Sequence, residues 1–145
     1  MTAFRLLIAG IPSRTAAGSA PAAEPHAVDF ERHVMGILGR MGCNSGSCHG
    51  SFQGRGGFRL SLFGYDPEKD FAGLTHDPMA RRVNPLDPDH SLILLKATGQ
   101  LPHGGGKRFS RDSWAYEQLR EWILEGARRG QGQGTLESLV IEPAE

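Results

Sequence analysis

One nine-residue stretch constrains this chain more than any other: Gly42-Cys43-Asn44-Ser45-Gly46-Ser47-Cys48-His49-Gly50. It holds both cysteines of the 145-residue sequence, and a histidine follows the second directly. Two thiols followed at once by an imidazole supply what covalent haem attachment needs. The thiols add to the two vinyl groups on one porphyrin edge, and the next side chain offers a ring nitrogen to the iron. The usual motif leaves two residues between the cysteines; here there are four. Asn44, Ser45, Gly46 and Ser47 are small and turn-favouring, so the extra length can bulge outward while both sulfurs keep their spacing. Three other fates stay open for the same residues. They are a disulfide, a zinc site completed by a distant ligand, and a pair of free thiols.

The remaining composition bears on that choice. Sixteen basic and sixteen acidic residues cancel, so no overall field recruits nucleic acid or an anionic membrane. No apolar run reaches the roughly 20 residues of a membrane span. Hydrophobic residues make up 39 % of the chain and 20 residues are glycine, which is thin material for a self-sufficient core. A large flat cofactor would supply the apolar body that such a chain lacks.

Residues 1–27 begin basic and apolar and end in small residues, and they read as an export signal or a disordered leader. Covalent haem attachment in bacteria takes place outside the cytoplasm, so the haem reading implies a periplasmic or otherwise exported protein. Residues 28–130 form the domain. Residues 131–145 read as a linker followed by the first strand of a downstream domain.

Within the domain, Val28 to Arg40 predicts a helix capped by Asp29, with Phe30, Val34, Ile37 and Met41 as its apolar stripe. Gly36 and Gly39 suggest a close crossing by another element, and Gly42 ends the helix. His33 lies off the stripe. The alternation Phe58-Arg59-Leu60-Ser61-Leu62 predicts a short extended or β segment with Phe58, Leu60 and Leu62 on one buried face. Asp66 and Pro67 open a short helix with Phe71 and Leu74 inward, and Asp87 and Pro88 open a buried one over Leu92 to Ala97. The triplet Gly104-Gly105-Gly106 follows His103 and lets backbone bend sharply or come close to something. The last helix runs from Ser113 to Gly126, with Ala115, Leu119, Trp122 and Ile123 on one face.

Taken in order, these segments resemble the planctomycete-type cytochrome c-like domain found in large secreted proteins. The resemblance rests on the helix ending in Gly-Cys, the Cys-x4-Cys-His-Gly motif and Gly-Gly-Phe-Arg-Leu-Ser-Leu. It continues through Asn-Pro-x-Asp-Pro-x-x-Ser-Leu and Tyr-x-x-Leu-Arg-x-Trp-Ile-x-x-Gly-Ala, and it covers about residues 28–129. It implies a mainly α, cytochrome c-like fold, with N- and C-terminal helices packed around one covalent haem c, a short extended segment and long loops. It also implies an electron carrier, not an enzyme, working with a redox partner protein or an adjacent domain. Cys43 and Cys48 would carry the thioethers and His49 would bind the iron. Such families commonly place a Met-Pro-Pro after the short helix as the sixth ligand, and this chain reads Leu101-Pro102-His103 there. His103 is therefore the expected sixth ligand, ahead of Met79, His76, His90 or an open position. Two imidazoles would give a lower potential than imidazole plus thioether. Phe58, Leu60, Leu62, Leu94, Leu95 and Trp122 are expected in the pocket wall, with Arg82, Lys107 or Arg108 facing the propionates. The competing class is a disulfide- or metal-stapled binding module of a larger secreted protein; a haem enzyme or gas sensor would require an open iron.

Overall fold

The computed structural model describes residues 27–76, 79 and 81–130, so the expected leader and the C-terminal linker and strand lie almost wholly outside the described residues. Among the described residues the fold is mainly helical. A π-helical turn, Phe30–Val34, runs directly into α1, Met35–Arg40. Asp29 caps it as expected, accepting a 2.8 Å hydrogen bond from the Arg32 amide. The reciprocal half comes from His33, whose Nδ1 accepts from the Asp29 amide at 2.9 Å, so this histidine is occupied in holding the helix start.

The second helix, α2 (Pro67–Thr75), begins where Asp66 and Pro67 place it, with Asp66 accepting from the Lys69 amide. Asp87 and Pro88 do something other than expected. They head a separate 3-10 turn, Pro88–His90, and α3 (Leu92–Ala97) starts only after Ser91. Asp87 bonds the His90 ring instead of a helical amide. The longest helix, α4 (Trp114–Leu124), is capped by Ser113 and buries Ala115, Leu119, Trp122 and Ile123, the face its periodicity marks.

Phe30 and Trp122 anchor the core, with ring centres 5.5 Å apart and neither side chain exposed. Their contact brings α4 against the first helical segment, and Ile37, Leu60, Leu74, Leu94 and Leu119 complete the buried cluster. The two ends of the described domain are tied alongside: the Phe30 amide donates to the Arg129 carbonyl, and the Arg129 guanidinium reaches Glu31 at 2.8 Å. Burial of these large side chains contributes about 2 kcal/mol each.

Two expectations are corrected here. A Cβ added at Gly36 or Gly39 would meet nothing within 4 Å, so no element crosses α1 at either position. The alternating segment forms no strand pairing beyond an isolated bridge between Arg55 and Phe58. Its amides are used elsewhere: Leu60 donates to the His49 carbonyl, and Ser61 to the buried Asp70 carboxylate. The chain then tightens into a 3-10 turn at Leu62–Gly64, which breaks the alternation. Leu60 is buried, while Leu62 turns outward and is 41 % exposed. Among the described residues no helix is long and apolar enough to cross a membrane.

Candidate cofactor site

The end of α1 aims the cysteine loop. Gly42 takes a φ of 70°, its amide returns to the Gly39 carbonyl, and the Cys43 amide reaches the Leu38 carbonyl. This paired closure at a left-handed glycine satisfies the last helical carbonyls and sends Cys43 off at a fixed angle. The next residues fold back on themselves. The Cys48 and Gly50 amides both donate to the Ser45 carbonyl, and the His49 amide donates to the Cys43 carbonyl at 3.0 Å. The four intervening residues are thereby taken up in a turn, and both cysteines come to the wall of one cavity. Gly50 is required by space: a Cβ there would sit 2.0 Å from the Asn44 carbonyl oxygen.

His49 leaves this loop half-buried. Its Nδ1 lies 3.0 Å from the Phe58 carbonyl oxygen, and its ring packs 4.8 Å from that of Phe58. A carbonyl only accepts, so Nδ1 carries the proton and Nε2 keeps a lone pair. Burial, opposed by the bond to the Phe58 carbonyl, holds the His49 pKa below its ordinary value and keeps the ring neutral.

The opposite wall comes from the loop after α3. The Arg108 amide closes onto the Ala97 carbonyl, and Lys96 Nζ bonds the Pro102 carbonyl. Between these anchors His103 is locked by a two-way turn. Its carbonyl accepts from the Gly106 amide at 2.8 Å, and its Nδ1 donates to the Gly106 carbonyl at 3.0 Å. His103 thus uses the same ring nitrogen as His49, Nδ1, as its donor to backbone. The two ring centres stand 6.1 Å apart and the planes differ by 11°.

The cavity between them measures about 480 Å³, within the range of small-molecule and cofactor sites. Leu38, Phe58, Leu60, Leu74, Leu92 and Ile93 supply much of its wall. Its charged lining is of one sign among the described residues: Arg55, Arg81, Arg82, Lys96 and Arg108, with no carboxylate beside them. In a chain whose charges balance, that segregation favours a ligand bearing anionic groups. Cys43 and Cys48 are free thiols. Burial pushes the Cys43 thiol up to about 11, partly offset by the Arg108 guanidinium. That same guanidinium donates to Cys48 Sγ at 3.2 Å.

Of the residues expected at this site, Cys43, Cys48, His49, His103, Phe58, Leu60 and Arg82 all line the cavity, as does Arg108. Leu62, Leu94, Leu95, Trp122 and Lys107 do not. Leu94 and Trp122 belong to the core behind the wall, and Leu62 is turned to solvent by the 3-10 turn. The Lys107 stem packs beside Gly99. Met79 is 71 % exposed, and His76 packs edge-on to Phe71; neither reaches the cavity, nor does His90. Sequence reasoning missed Arg55, Arg81 and Lys96 as lining cations. The Gly54-Arg55-Gly56-Gly57 context was the available signal for Arg55, an isolated cation in a loop free to fold over a site.

No group of three or more His, Cys, Asp or Glu among the described residues is placed to hold a metal ion. A four-ligand structural zinc site therefore lacks its donors here. A porphyrin iron asks less of the protein, because the macrocycle supplies four nitrogens and only the two axial positions remain. Compared with models of known families, with curated proteins and with solved structures, the chain finds no match in any of the three.

Proposed function

We propose that this chain is a monohaem c-type cytochrome that transfers electrons. Haem c would be attached through Cys43 and Cys48, with His49 and His103 on the iron. The observation that carries this reading is the pair of near-parallel imidazoles lining one cavity. Each has its Nδ1 proton committed to a backbone carbonyl, so Nε2 is the nitrogen each ring has left for a metal. A metal bound by one nitrogen from each of two opposed rings, at about 2 Å per bond, sets the ring centres about 6 Å apart. The 6.1 Å found between His49 and His103 agrees with that spacing.

The bound haem would supply a one-electron iron couple. The chain's own residues hold and bias it. The two backbone carbonyls orient the axial rings and raise their basicity, the aliphatic wall excludes water, and the cationic lining offsets the propionate charge. Two imidazoles favour the ferric state relative to imidazole plus thioether, so the potential is expected below that of His/Met cytochromes. With both axial positions filled there is no place for substrate, which makes the chain a carrier for a partner protein or an attached domain. The chemistry implies export to the periplasm or beyond.

The test is an intact mass and a pyridine haemochrome spectrum of protein made in a host competent for cytochrome maturation. The expected result is a covalent gain of one haem with both cysteines consumed. A folded, colourless product under those conditions overturns the reading and favours the stapled binding module.

A further inference from the structure

The glycine loop that presents His103 rests on two arginines whose other contacts lie on the cysteine loop. Arg55 donates from Nη1 to the Ser47 carbonyl at 3.1 Å. A Cβ built on Gly104 would lie 3.9 Å from both Cζ and Nε of the same guanidinium. Arg108 repeats the arrangement from the far end of the loop. Its Nη2 donates to Cys48 Sγ at 3.2 Å, and its Nη1 passes 3.9 Å from a Cβ built on Gly42. On the other side, a Cβ built on Gly105 would come within 3.0 Å of Arg108 Nη2 and within 3.0 Å of His103 Cε1. The two glycines are thus the surface on which the guanidiniums lie, and a side chain at Gly105 would separate them. Without these arginines the His103 loop is held by its own turn and by Lys96 and the Arg108 amide, all on the α3 side of the cavity.

We infer that Arg55 and Arg108 act as a clamp that presses the His103 loop onto the cysteine loop, and are positioning residues for His103 opposite His49. The inference rests on reading the cavity as a haem site. It adds that the sixth ligand stays in place through side chains that never touch the metal. Planar, forked guanidiniums suit the task, because each can bond one loop at its donors and lie flat against the backbone of the other. Lysine could supply the charge and not the flat contact.

The experiment compares wild type, Arg55→Gln/Arg108→Gln, Arg108→Lys and Gly105→Ala, each matured with haem and checked by intact mass. Carbon monoxide binding to the reduced protein and amide exchange over residues 101–108 are read on the same preparations. On the haem-loaded fraction the expected result is carbon monoxide binding at least ten-fold faster than wild type, and at least ten-fold faster exchange at the Gly106 amide. Arg108→Lys is expected to recover neither. A residue with a merely structural role would lower the unfolding midpoint and leave carbon monoxide binding to the folded protein as in wild type. That outcome overturns the clamp, as does unchanged amide exchange. The single variants Arg55→Gln and Arg108→Gln decide the matter if the double variant does not fold, because Gly105→Ala also crowds the His103 ring itself. Absence of haem from wild type defeats the cytochrome reading instead, and amide exchange still judges the clamp.

Discussion

The imidazoles of His49 and His103 are nearly parallel, 11° apart in plane and 6.1 Å apart in centre. Each ring is held by a backbone carbonyl, Phe58 for one and Gly106 for the other. Fixing the planes has a spectroscopic consequence. Near-parallel axial imidazoles on one ferric haem split the iron orbitals strongly. If the proposed haem is held by these two rings, a rhombic low-spin resonance is expected, not the single large-g signal of perpendicular rings.

The first prediction concerns the proposed axial ligand. His103→Ala removes the only cavity-lining imidazole besides His49 among the described residues, so the reduced variant is expected to bind carbon monoxide far faster than wild type. Met79→Leu is expected to leave the reduced spectrum unchanged, because Met79 is exposed and away from the cavity. A change on Met79→Leu alone would show methionine on the iron and defeat the assignment.

Much of this arrangement was legible in the residues themselves. Asp29, Asp66 and Ser113 each cap a helix where local hydrogen-bonding chemistry puts them. The Trp122 face of α4 follows its 3.6-residue period, and Gly42 ends α1 as a left-handed glycine should. Period-2 alternation failed at Leu62 because alternation presumes a continuing extended chain. The Asn44 carbonyl draws the Phe63 amide to itself, and the backbone turns at that point. Gly36 and Gly39 were misread because low helix propensity does not say what a glycine faces. The rest of the cationic lining was hidden for another reason: Arg55, Arg81 and Lys96 are spread along the sequence, and only the tertiary fold collects them with Arg82 and Arg108.

Asp70 is the second test. It is fully buried in α2 and accepts from both the Ser61 amide, at 2.5 Å, and the Ser61 hydroxyl, at 2.7 Å. The hydroxyl in turn accepts from the Asp66 amide, so one carboxylate fixes the start of α2 to the segment bearing Leu60. Asp70→Ala leaves a buried N–H and O–H without their acceptor. The expected loss is about 3 kcal/mol, read from urea unfolding. Asp70→Asn keeps one oxygen as acceptor and is expected to lose less.

A third prediction follows from Asp89, which receives the Arg120 guanidinium at 3.1 Å and the Tyr116 hydroxyl. Arg120, then Tyr116, holds the Asp89 carboxyl below its ordinary pKa. Because the folded state binds this proton more weakly than the unfolded state, the contribution is complete above the unfolded pKa of about 4. It is lost as pH falls from there through the folded value. Asp89 is about a third exposed, so solvent and salt screen the pair and the effect is held to about 1 kcal/mol. Wild type should therefore lose stability relative to Asp89→Asn on acidification below about pH 4, with the gap narrowing in high salt. Parallel urea curves for the two proteins from pH 7 to pH 3 would refute this.

The last prediction runs toward higher stability. Phe63 has φ 54° and ψ 18°, a left-handed conformation that an aromatic side chain rarely adopts. The ring gives little back, since it is 77 % exposed. What keeps the backbone there is the Phe63 amide bond to the Asn44 carbonyl, which lies inside the loop between the two cysteines. The strain therefore supports the shape of the thiol loop and not the core. Phe63→Gly removes the steric cost of about 1–2 kcal/mol and keeps the amide, though glycine gives back up to about 1 kcal/mol in chain entropy. The net expectation is a gain of about 0.5–1 kcal/mol in urea unfolding, with the haem content of matured protein unchanged. Phe63→Ala removes the same ring and retains the left-handed penalty, so it should gain nothing. Equal gains from both variants would mean that the exposed ring, not the backbone, was the source of the cost.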